Sequence, residues 1–403
     1  MLKKTILALA AISLAMSAQA ADKKKEVKAE SEGYVFTTVK EMPITSIKSQ
    51  GSTGTCWCFS SISFLESEAI RNGAPKDIDL SEMFIVSNAY SDKAEKYVRL
   101  YGNLNFGAGS AFGDAIHVMQ DYGLVPNSEM PGLNYGSPTH NHGELDAVTK
   151  AYVSTIARKP MRGKLSTAWK NGFNGIVDAY LGEKPETFVV DGKEYTPKSY
   201  VEALGLNADD YVSISSFTHH PFYSQFVIEV PDNWRFDTAY NLPLDEMVEV
   251  MDNAIENGYT IAWASDVSEK GFSRNGLGIV PDVKAQEAAG SDEEKWIGKS
   301  PAEKADFLNN VNAPGKELNI TQEMRQIGYD EQTTTDDHGM HIYGIAKDQN
   351  GTKYYMIKNS WGESGKYKGI WYISEPFVRY KTLNIVVNKA AIPASIKAKM
   401  GIK

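Results

Sequence analysis

The chain has 403 residues, of which 42% are hydrophobic, 23% are charged and only 16 are prolines. This composition is typical of a globular protein and excludes a disordered or fibrous chain. The 42 lysines and arginines against 51 aspartates and glutamates give a formal net charge of −9. Because nucleic acids and anionic membranes select basic surfaces, this charge argues against both as main partners.

The first 20 residues have the three-part pattern of a secretory signal peptide. Lys3 and Lys4 supply the positive charge, residues 6–16 are an apolar run, and Ala18-Gln-Ala20 offers small residues for cleavage. The apolar run is too short for a permanent membrane-spanning anchor. We therefore predict export, to a bacterial periplasm or outside the cell, with no stable membrane anchor.

The remaining chain divides by composition. Residues 21–33 are charged and poor in apolar side chains, which predicts a solvated tail. Residues 34–392 have globular composition and are interpreted as one domain, with a long, polar insertion at roughly 140–330. Residues 393–403 form a C-terminal arm, in which residues 395–400 have a helical pattern ended by Gly401.

Two amphipathic helices can be predicted with their ends. The first begins at Cys56 and runs to about Ile70, where Asn72-Gly73 closes it. The second covers residues 244–256, with Pro243 at its start and Gly258 just past its end. A strand is predicted directly after it, at residues 259–265.

The last third of the chain changes character. The turn sequence Asp348-Gln-Asn-Gly351 separates two β-rich runs, as in a hairpin. The predicted strands are residues 341–346, 353–358, 369–374 and 383–387. Helices in the first part and strands in the last favour an α+β protein with two lobes over alternating βαβ units.

Cys56 and Cys58 are the two cysteines of the chain, too few for a disulfide scaffold. Residues two apart on a helix point in different directions, so they should not pair with each other. Cys56 stands at a predicted helix start, where unpaired N–H groups lower the pKa of a thiol and favour a nucleophile. Taken alone, Cys56 is more simply interpreted as a buried hydrophobic cysteine.

Three further residues fit a thiol catalyst. Gln50 precedes Cys56 by six residues, and its amide could join the Cys56 N–H in an oxyanion hole. His338 could serve as the acid and base, with Asn359 holding its ring and Trp361 stacked over the pair. His341 is the alternative base, although on a strand it should face away from His338 and is interpreted as structural.

The motifs around these residues resemble the papain-like cysteine peptidases. The resemblance rests on Gln50-Gly-Ser-Thr-Gly-Thr-Cys56-Trp, on Asp337-His338 and on Lys358-Asn359-Ser-Trp361-Gly. It implies a two-lobed fold and assigns Gln50 as oxyanion donor, Cys56 as nucleophile, His338 as acid and base, and Asn359 as its orienter. Cys58 falls where that family has a small residue, so it is interpreted as a packing residue.

Other segments resemble one branch of the family, the bleomycin hydrolases and bacterial aminopeptidases C. Thr53, His338-Gly-Met340 and parts of the insertion carry this likeness. The resemblance implies peptide substrates, aminopeptidase activity and a homo-hexamer. It also implies substrate contacts at Gly109 and Ser110, where a serine replaces the second glycine of a pair.

The C-terminal arm departs from that branch, in which a terminal carboxylate in the cleft restricts cleavage to the substrate's N-terminus. Here either the tip of the arm at Lys403 or the insertion is expected to block the cleft. An endopeptidase or a dipeptidyl-peptidase with the same catalytic residues is the alternative. A catalytically dead peptide-binding module is a further one, opposed by the intact set of catalytic residue types.

No cofactor or metal is predicted. The candidate metal ligands are His140, His142, His219 and His220. No cysteine or carboxylate cluster accompanies them at ligand spacing, so they are interpreted as loop histidines.

Overall fold

The computed structural model describes residues 33–158, 164–282, 300, 302–303 and 313–402. The predicted signal peptide, nearly all of the predicted tail and Lys403 lie outside these ranges. Across the described residues, no helix is both long enough and apolar enough to cross a membrane.

Helices dominate the first half of the described chain, and strands dominate the second. The helices are α1 (Cys56–Arg71), α2 (Glu82–Arg99), α3 (Phe112–Asp121), α4 (Gly143–Ala157), α5 (Ala168–Leu181), α6 (Pro197–Ala203), α7 (Leu244–Glu256), α8 (Gln322–Asp330), α9 (Glu375–Lys381) and α10 (Ala394–Met400). The strands are β1 (Thr37–Glu41), β2 (Phe188–Val190), β3 (Lys193–Tyr195), β4 (Tyr211–Ser215), β5 (Gln225–Val227), β6 (Thr238–Asn241), β7 (Ile261–Ser265), β8 (Phe272–Ser273), β9 (Leu277–Gly278), β10 (His338–Lys347), β11 (Lys353–Lys358), β12 (Ile370–Ser374) and β13 (Thr382–Asn388).

The predicted helices and strands are confirmed, with small shifts at their ends. Helices α1 and α7 begin at the predicted residues, and α10 ends before Gly401, which adopts the left-handed conformation at φ +70°. Strand β10 is longer than predicted. It begins at His338 because residues 338–342 pair with β7, whereas the apolar run visible in the sequence starts only at Met340.

The large sheet is mixed. Its strands follow the order β5-β6-β4-β13-β7-β10-β11-β12-β9-β8, and β1 pairs with β10 in addition. Most neighbours are antiparallel, but β4 pairs with β6 and β12 with β9 in parallel. Strands β4, β5 and β6 lie within the predicted insertion, which therefore extends the main sheet.

The sheet separates two hydrophobic cores. Successive residues of a strand point to opposite faces, and the end of β13 shows this alternation: Val386 enters the core that contains α1, while Ile385 and Val387 enter the core that contains α7. Leu383 also enters the α1 core, because the pairing of β13 with β7 shifts register between Thr382 and Asn384. Helix α10 packs in the second core through Ile396 and Met400. The two cores explain how apolar runs in the last third are buried on both sides.

Candidate active site

Cys56 is the first residue of α1, and this helix packs against β10. The carbonyl oxygen of Thr55 accepts the first intrahelical bonds, from the N–H groups of Cys58 (2.9 Å) and Phe59 (3.1 Å). At Gly339 the strand comes so close to the helix that an added Cβ would lie 3.1 Å from the Trp57 Cα. The absent side chain therefore lets the backbone of β10 reach the thiol.

The electrostatic surroundings of Cys56 differ from the sequence-based expectation of a lowered thiol pKa. Burial raises the pKa of Cys56 to about 11, and the backbone N–H groups of Gly339 and Trp57 lower it only in part. Asp336 and Asp232 raise it further by charge repulsion. Desolvation thus outweighs the helix N-terminus, and in the empty site the thiol is the favoured form at neutral pH.

Cys58 lies inside the protein. It is fully buried, its Sγ lies 3.2 Å from the carbonyl oxygen of Glu82, and burial raises its pKa well above the usual value. A buried, protonated thiol is not a nucleophile. The structure therefore gives Cys58 the position of a packing residue.

His338 and Asn359 lie together on neighbouring parts of the sheet. His338 Nε2 is 2.8 Å from Asn359 Oδ1, and the Asn359 oxygen also accepts from the Ser360 N–H. The ring of Trp361 stacks on that of His338, with centroids 4.7 Å apart and an angle of 29° between the planes. If the Nε2–H donates to Asn359, Nδ1 is left to exchange a proton with the thiol.

The His338 ring is buried, with 5% of its surface exposed. Burial lowers the pKa of His338 to about 4, although the Asn359 hydrogen bond and the charge of Asp337 act in the opposite direction. Since burial also raises the pKa of Cys56, the two groups share a single proton over a wide pH range around neutrality.

The side-chain amide of Gln50 is held by hydrogen bonds at both its nitrogen and its oxygen. Its Nε2 donates to the carbonyl oxygen of Thr53 at 2.8 Å, and its Oε1 accepts from Ser360 Oγ at 2.6 Å. These contacts orient the side chain and leave one amide hydrogen available. Ser360 adjoins Asn359, so the oxyanion candidate and the histidine orienter are joined through neighbouring residues.

An ion-pair network anchors the segment that carries Gln50. Lys48 Nζ lies 2.7 Å from Glu82 Oε1 and 3.3 Å from Glu66 Oε1, and both carboxylates are buried. Burial raises the pKa of Glu82 to about 7 despite the nearby Lys48. Because the network links this segment to α1 and α2, it positions Gln50 relative to Cys56.

A cavity of about 550 Å³ joins the candidate residues. Cys56, His338, Gly109 and Ser110 line it, whereas Gln50, Asn359 and Trp361 are not among its lining residues in the described part of the chain. The Ser110 hydroxyl accepts from Trp234 Nε1 at 3.0 Å. The predicted substrate-contact pair thus borders the cleft, and the serine is tied to the insertion.

The other histidines considered in the sequence analysis do not line this cavity. His341 is fully buried, with Nδ1 2.8 Å from Ser63 Oγ and with no partner for Nε2 among the described residues. His140 and His142 have ring centroids 6.1 Å apart. Within the described ranges, no group of three or more histidines, cysteines or carboxylates is arranged to hold a metal ion.

The C-terminal arm is described as far as Ile402, and there it lies away from the cavity. Helix α10 packs in the α7 core, and Lys399 Nζ lies 2.7 Å from Glu246 Oε1. The cavity is lined from the opposite face of β13, by Leu383 and Val386. Lys403, predicted as one possible block of the cleft, lies outside the described residues.

Comparison with known proteins agrees with this geometry. A family model described as "Papain family cysteine protease" matches residues 35–154, and one described as "Peptidase C1-like family" matches residues 314–402. These segments hold the candidate nucleophile and the candidate histidine and asparagine. The chain belongs to the papain-like cysteine peptidases.

Whole-chain similarity places this papain-like peptidase in the branch of bleomycin hydrolases and aminopeptidases C. Aminopeptidase G of Lactobacillus delbrueckii subsp. lactis is 21% identical over 88% of this chain and 83% of its own length. Bleomycin hydrolase of Mus musculus is 21% identical over 91% and 85%. The crystal structure of PepW from Lactobacillus rhamnosis HN001 superposes with a TM-score of 0.67 at 20% identity, over 91% of this chain and 84% of that one.

The structure adds cavity residues that the sequence did not single out. Asp232 and Asp336 line the cleft beside Cys56, and Trp234 bonds to Ser110. Asp336 lies two residues before His338, so its position near the candidate histidine could be predicted from the sequence. Asp232 and Trp234 lie in the insertion, where no periodicity or motif marks them, and only tertiary structure brings them to the cleft.

Proposed function

We propose that this papain-like peptidase is an exported aminopeptidase that removes single residues from the N-termini of peptides through a Cys56–His338–Asn359 mechanism. The observation that supports the mechanism best is the 2.8 Å contact between His338 Nε2 and Asn359 Oδ1, with Cys56 and His338 lining the same cavity. The names of relatives such as aminopeptidases G and C support the exopeptidase reaction.

In the proposed reaction, the Cys56 Sγ attacks the scissile carbonyl carbon while its proton passes to His338. The imidazolium then gives this proton to the leaving amine, and the peptide bond breaks to form a thioester. Water, deprotonated by His338, hydrolyses the thioester and restores the thiol. Asn359 keeps the ring oriented throughout by accepting from Nε2.

The developing oxyanion needs donors that are already in place. We assign the Cys56 N–H, at the free N-terminus of α1, and the remaining hydrogen of the Gln50 amide to this task. The bonds from Gln50 to Thr53 and Ser360 support this assignment because they fix which end of the amide carries the donor. Trp361, stacked on His338, shields the ring from water on one side.

The exopeptidase assignment can be tested with pairs of peptides that differ only in a free or an acetylated N-terminus. We expect the free peptides to lose one residue at a time and the acetylated peptides to be cut at least about a hundredfold more slowly, because the enzyme binds the terminal amino group. Mass spectrometry of the products measures both. Internal cleavage of acetylated peptides at equal rates would establish an endopeptidase, and release of dipeptides a dipeptidyl-peptidase.

Export is proposed from residues 1–20 alone. When the full chain is expressed in a bacterium, we expect the protein to be recovered from the periplasm or the medium with Ala21 as its first residue, because cleavage follows Ala20. Intact-mass measurement of each fraction tests this. Recovery of the uncleaved chain from the cytoplasm would contradict it.

A further inference from the structure

A loop of the insertion covers one side of the nucleophile. The 228–237 loop, between β5 and β6, brings the Asp232 carboxylate against Gly109, where an added Cβ would collide with it. Asp232 and Gly109 both line the cavity that holds Cys56. A side chain at position 109 would displace this carboxylate, which occupies the surface predicted to contact substrate backbone.

The 228–237 loop is held firmly on the helical part of the protein. Arg235 lies 2.6 Å from Asp114 and 2.6 Å from Asp92, and Trp234 is buried with its Nε1–H bonded to Ser110. Asn105 Nδ2 donates to Asp232 Oδ1 at 2.9 Å. The carboxylate is therefore fixed in position before any substrate binds.

Lys93, the cation whose charge acts on Asp232, donates its hydrogen bonds to backbone carbonyl oxygens instead. Lys93 is the cation that lowers the Asp232 pKa by its charge, although burial raises that pKa overall. Its Nζ donates to the carbonyl oxygens of Gly107 (3.0 Å) and Gly109. Asp232 Oδ2 has no hydrogen-bond partner among the described residues, so it can accept from a ligand.

A second carboxylate, that of Asp336, lines the same cavity. Asp336 has no hydrogen bond or ion pair with any residue of the described part of the chain. Burial raises the pKa of Asp336 to about 7, and repulsion from Asp232 contributes. Two half-buried carboxylates that repel each other beside the nucleophile would be stabilised by a cation between them.

We infer that Asp232, together with Asp336, binds the α-ammonium group of the substrate's N-terminal residue. The inference rests on the proposed aminopeptidase function and names the residues that restrict it. With N–Cα and Cα–C bonds of about 1.5 Å, the ammonium nitrogen lies about 2.5 Å from the carbonyl carbon that Cys56 attacks. An anchor for it must therefore lie beside the nucleophile, where these carboxylates are.

The position of Asp232 beside Cys56 also explains why only one residue would be removed from a peptide. A longer peptide would have to pass Gly109, and the fixed Asp232 side chain occupies that place. Binding of the ammonium would also offset the repulsion that Asp232 and Asp336 exert on a thiolate at Cys56. The insertion thus performs the blocking function, while α10 lies on the opposite face of the sheet.

The test compares three coumarylamide substrates of one shape: alanyl, lactyl with a hydroxyl in place of the ammonium, and N-acetylalanyl. For Asp232→Asn we expect kcat/KM on the alanyl substrate to fall about 10- to 100-fold, mainly through KM, because a charge-assisted bond is lost. The lactyl and acetyl substrates should react as before or faster. Asparagine keeps the shape and the bond from Asn105.

Asp209→Asn is the matched control, because Asp209 lines the same cavity from an exposed turn. It removes the same charge and should leave the preference for the alanyl substrate unchanged. Asp336→Asn is the second variant and should reduce that preference in the same direction. Titration with an epoxide that alkylates papain-like thiols, read by mass spectrometry as one addition at Cys56 and none at Cys58, normalises each rate to folded enzyme.

The outcomes separate this inference from the proposed function. If the unmodified enzyme prefers the alanyl substrate and both Asp232→Asn and Asp336→Asn keep that preference, the ammonium is bound elsewhere and the inference fails alone. If the unmodified enzyme cuts the alanyl and acetyl substrates equally well, the aminopeptidase assignment fails and takes the inference with it. An equal loss on all three substrates in Asp232→Asn would assign the residue a structural role and overturn the inference.

Discussion

Cys56→Ala is expected to abolish peptide hydrolysis, with kcat at least about four orders of magnitude below that of the unmodified enzyme. The reason is that no other thiol can reach the carbonyl carbon. Cys58 is fully buried and its Sγ lies against the Glu82 carbonyl oxygen. The measurement is kcat on a free-amine peptide, together with the mass of the protein after treatment with an epoxide that alkylates papain-like thiols.

Cys58→Ser is the matched control, since it changes the neighbouring thiol and keeps a donor for Glu82. We expect it to retain most of the activity and to lose no more than about 1–2 kcal/mol in the free energy of unfolding. One epoxide should add to the Cys58→Ser enzyme and none to Cys56→Ala. Full activity in Cys56→Ala would remove the basis for assigning this residue as the nucleophile.

The elements that carry the catalytic candidates could be predicted because local signals define them. Helix α1 begins at Cys56, where a glycine-rich loop ends, and the hairpin of β10 and β11 follows from the Asp348–Gly351 turn. Asn359 comes directly after β11, so its contact with His338 follows from antiparallel pairing of the two strands. Short-range patterns were sufficient here because His338 begins one strand and Asn359 directly follows the adjacent one.

The restriction of the cleft could not be predicted in the same way. Asp232 lies more than a hundred residues from both Gly109 and His338, in a loop without motif or periodicity. Its place depends on Arg235 and Trp234 binding to α2, α3 and Ser110. Such contacts depend on tertiary packing, which a single sequence does not display.

The thiol pKa shows a second limit of sequence reasoning. The helix N-terminus visible in the sequence favours a thiolate, but burial and two cavity carboxylates act more strongly on Cys56. Burial acts in the complementary direction on His338, whose pKa falls to about 4. Cys56 and His338 therefore hold one proton between them over a broad range of pH. This proton moves to His338 as the sulfur attacks.

His338→Ala should lower kcat by about two to four orders of magnitude, because general acid–base transfer contributes that much. Asn359→Ala should cost about 10- to 150-fold, the worth of a hydrogen bond to a charged group. His341→Ala should leave kcat per folded molecule within about threefold, since His341 bonds to Ser63 away from the cavity. His341→Gln serves if the alanine variant does not fold.

The pH dependence of kcat/KM, which reports the pKa values of the free enzyme, distinguishes a catalytic base from a merely structural histidine. Below about pH 4 His338 is protonated and above about pH 11 the thiol is lost, so kcat/KM of the unmodified enzyme on the lactyl coumarylamide, which has no titrating amine, should show a plateau between these values. Without His338 only the spontaneous thiolate reacts, so kcat/KM of His338→Ala on the same substrate should rise about tenfold per pH unit between pH 6 and 9. The His341 variants should keep the plateau. If they instead showed the steep rise while His338→Ala kept the plateau, His341 would be the base.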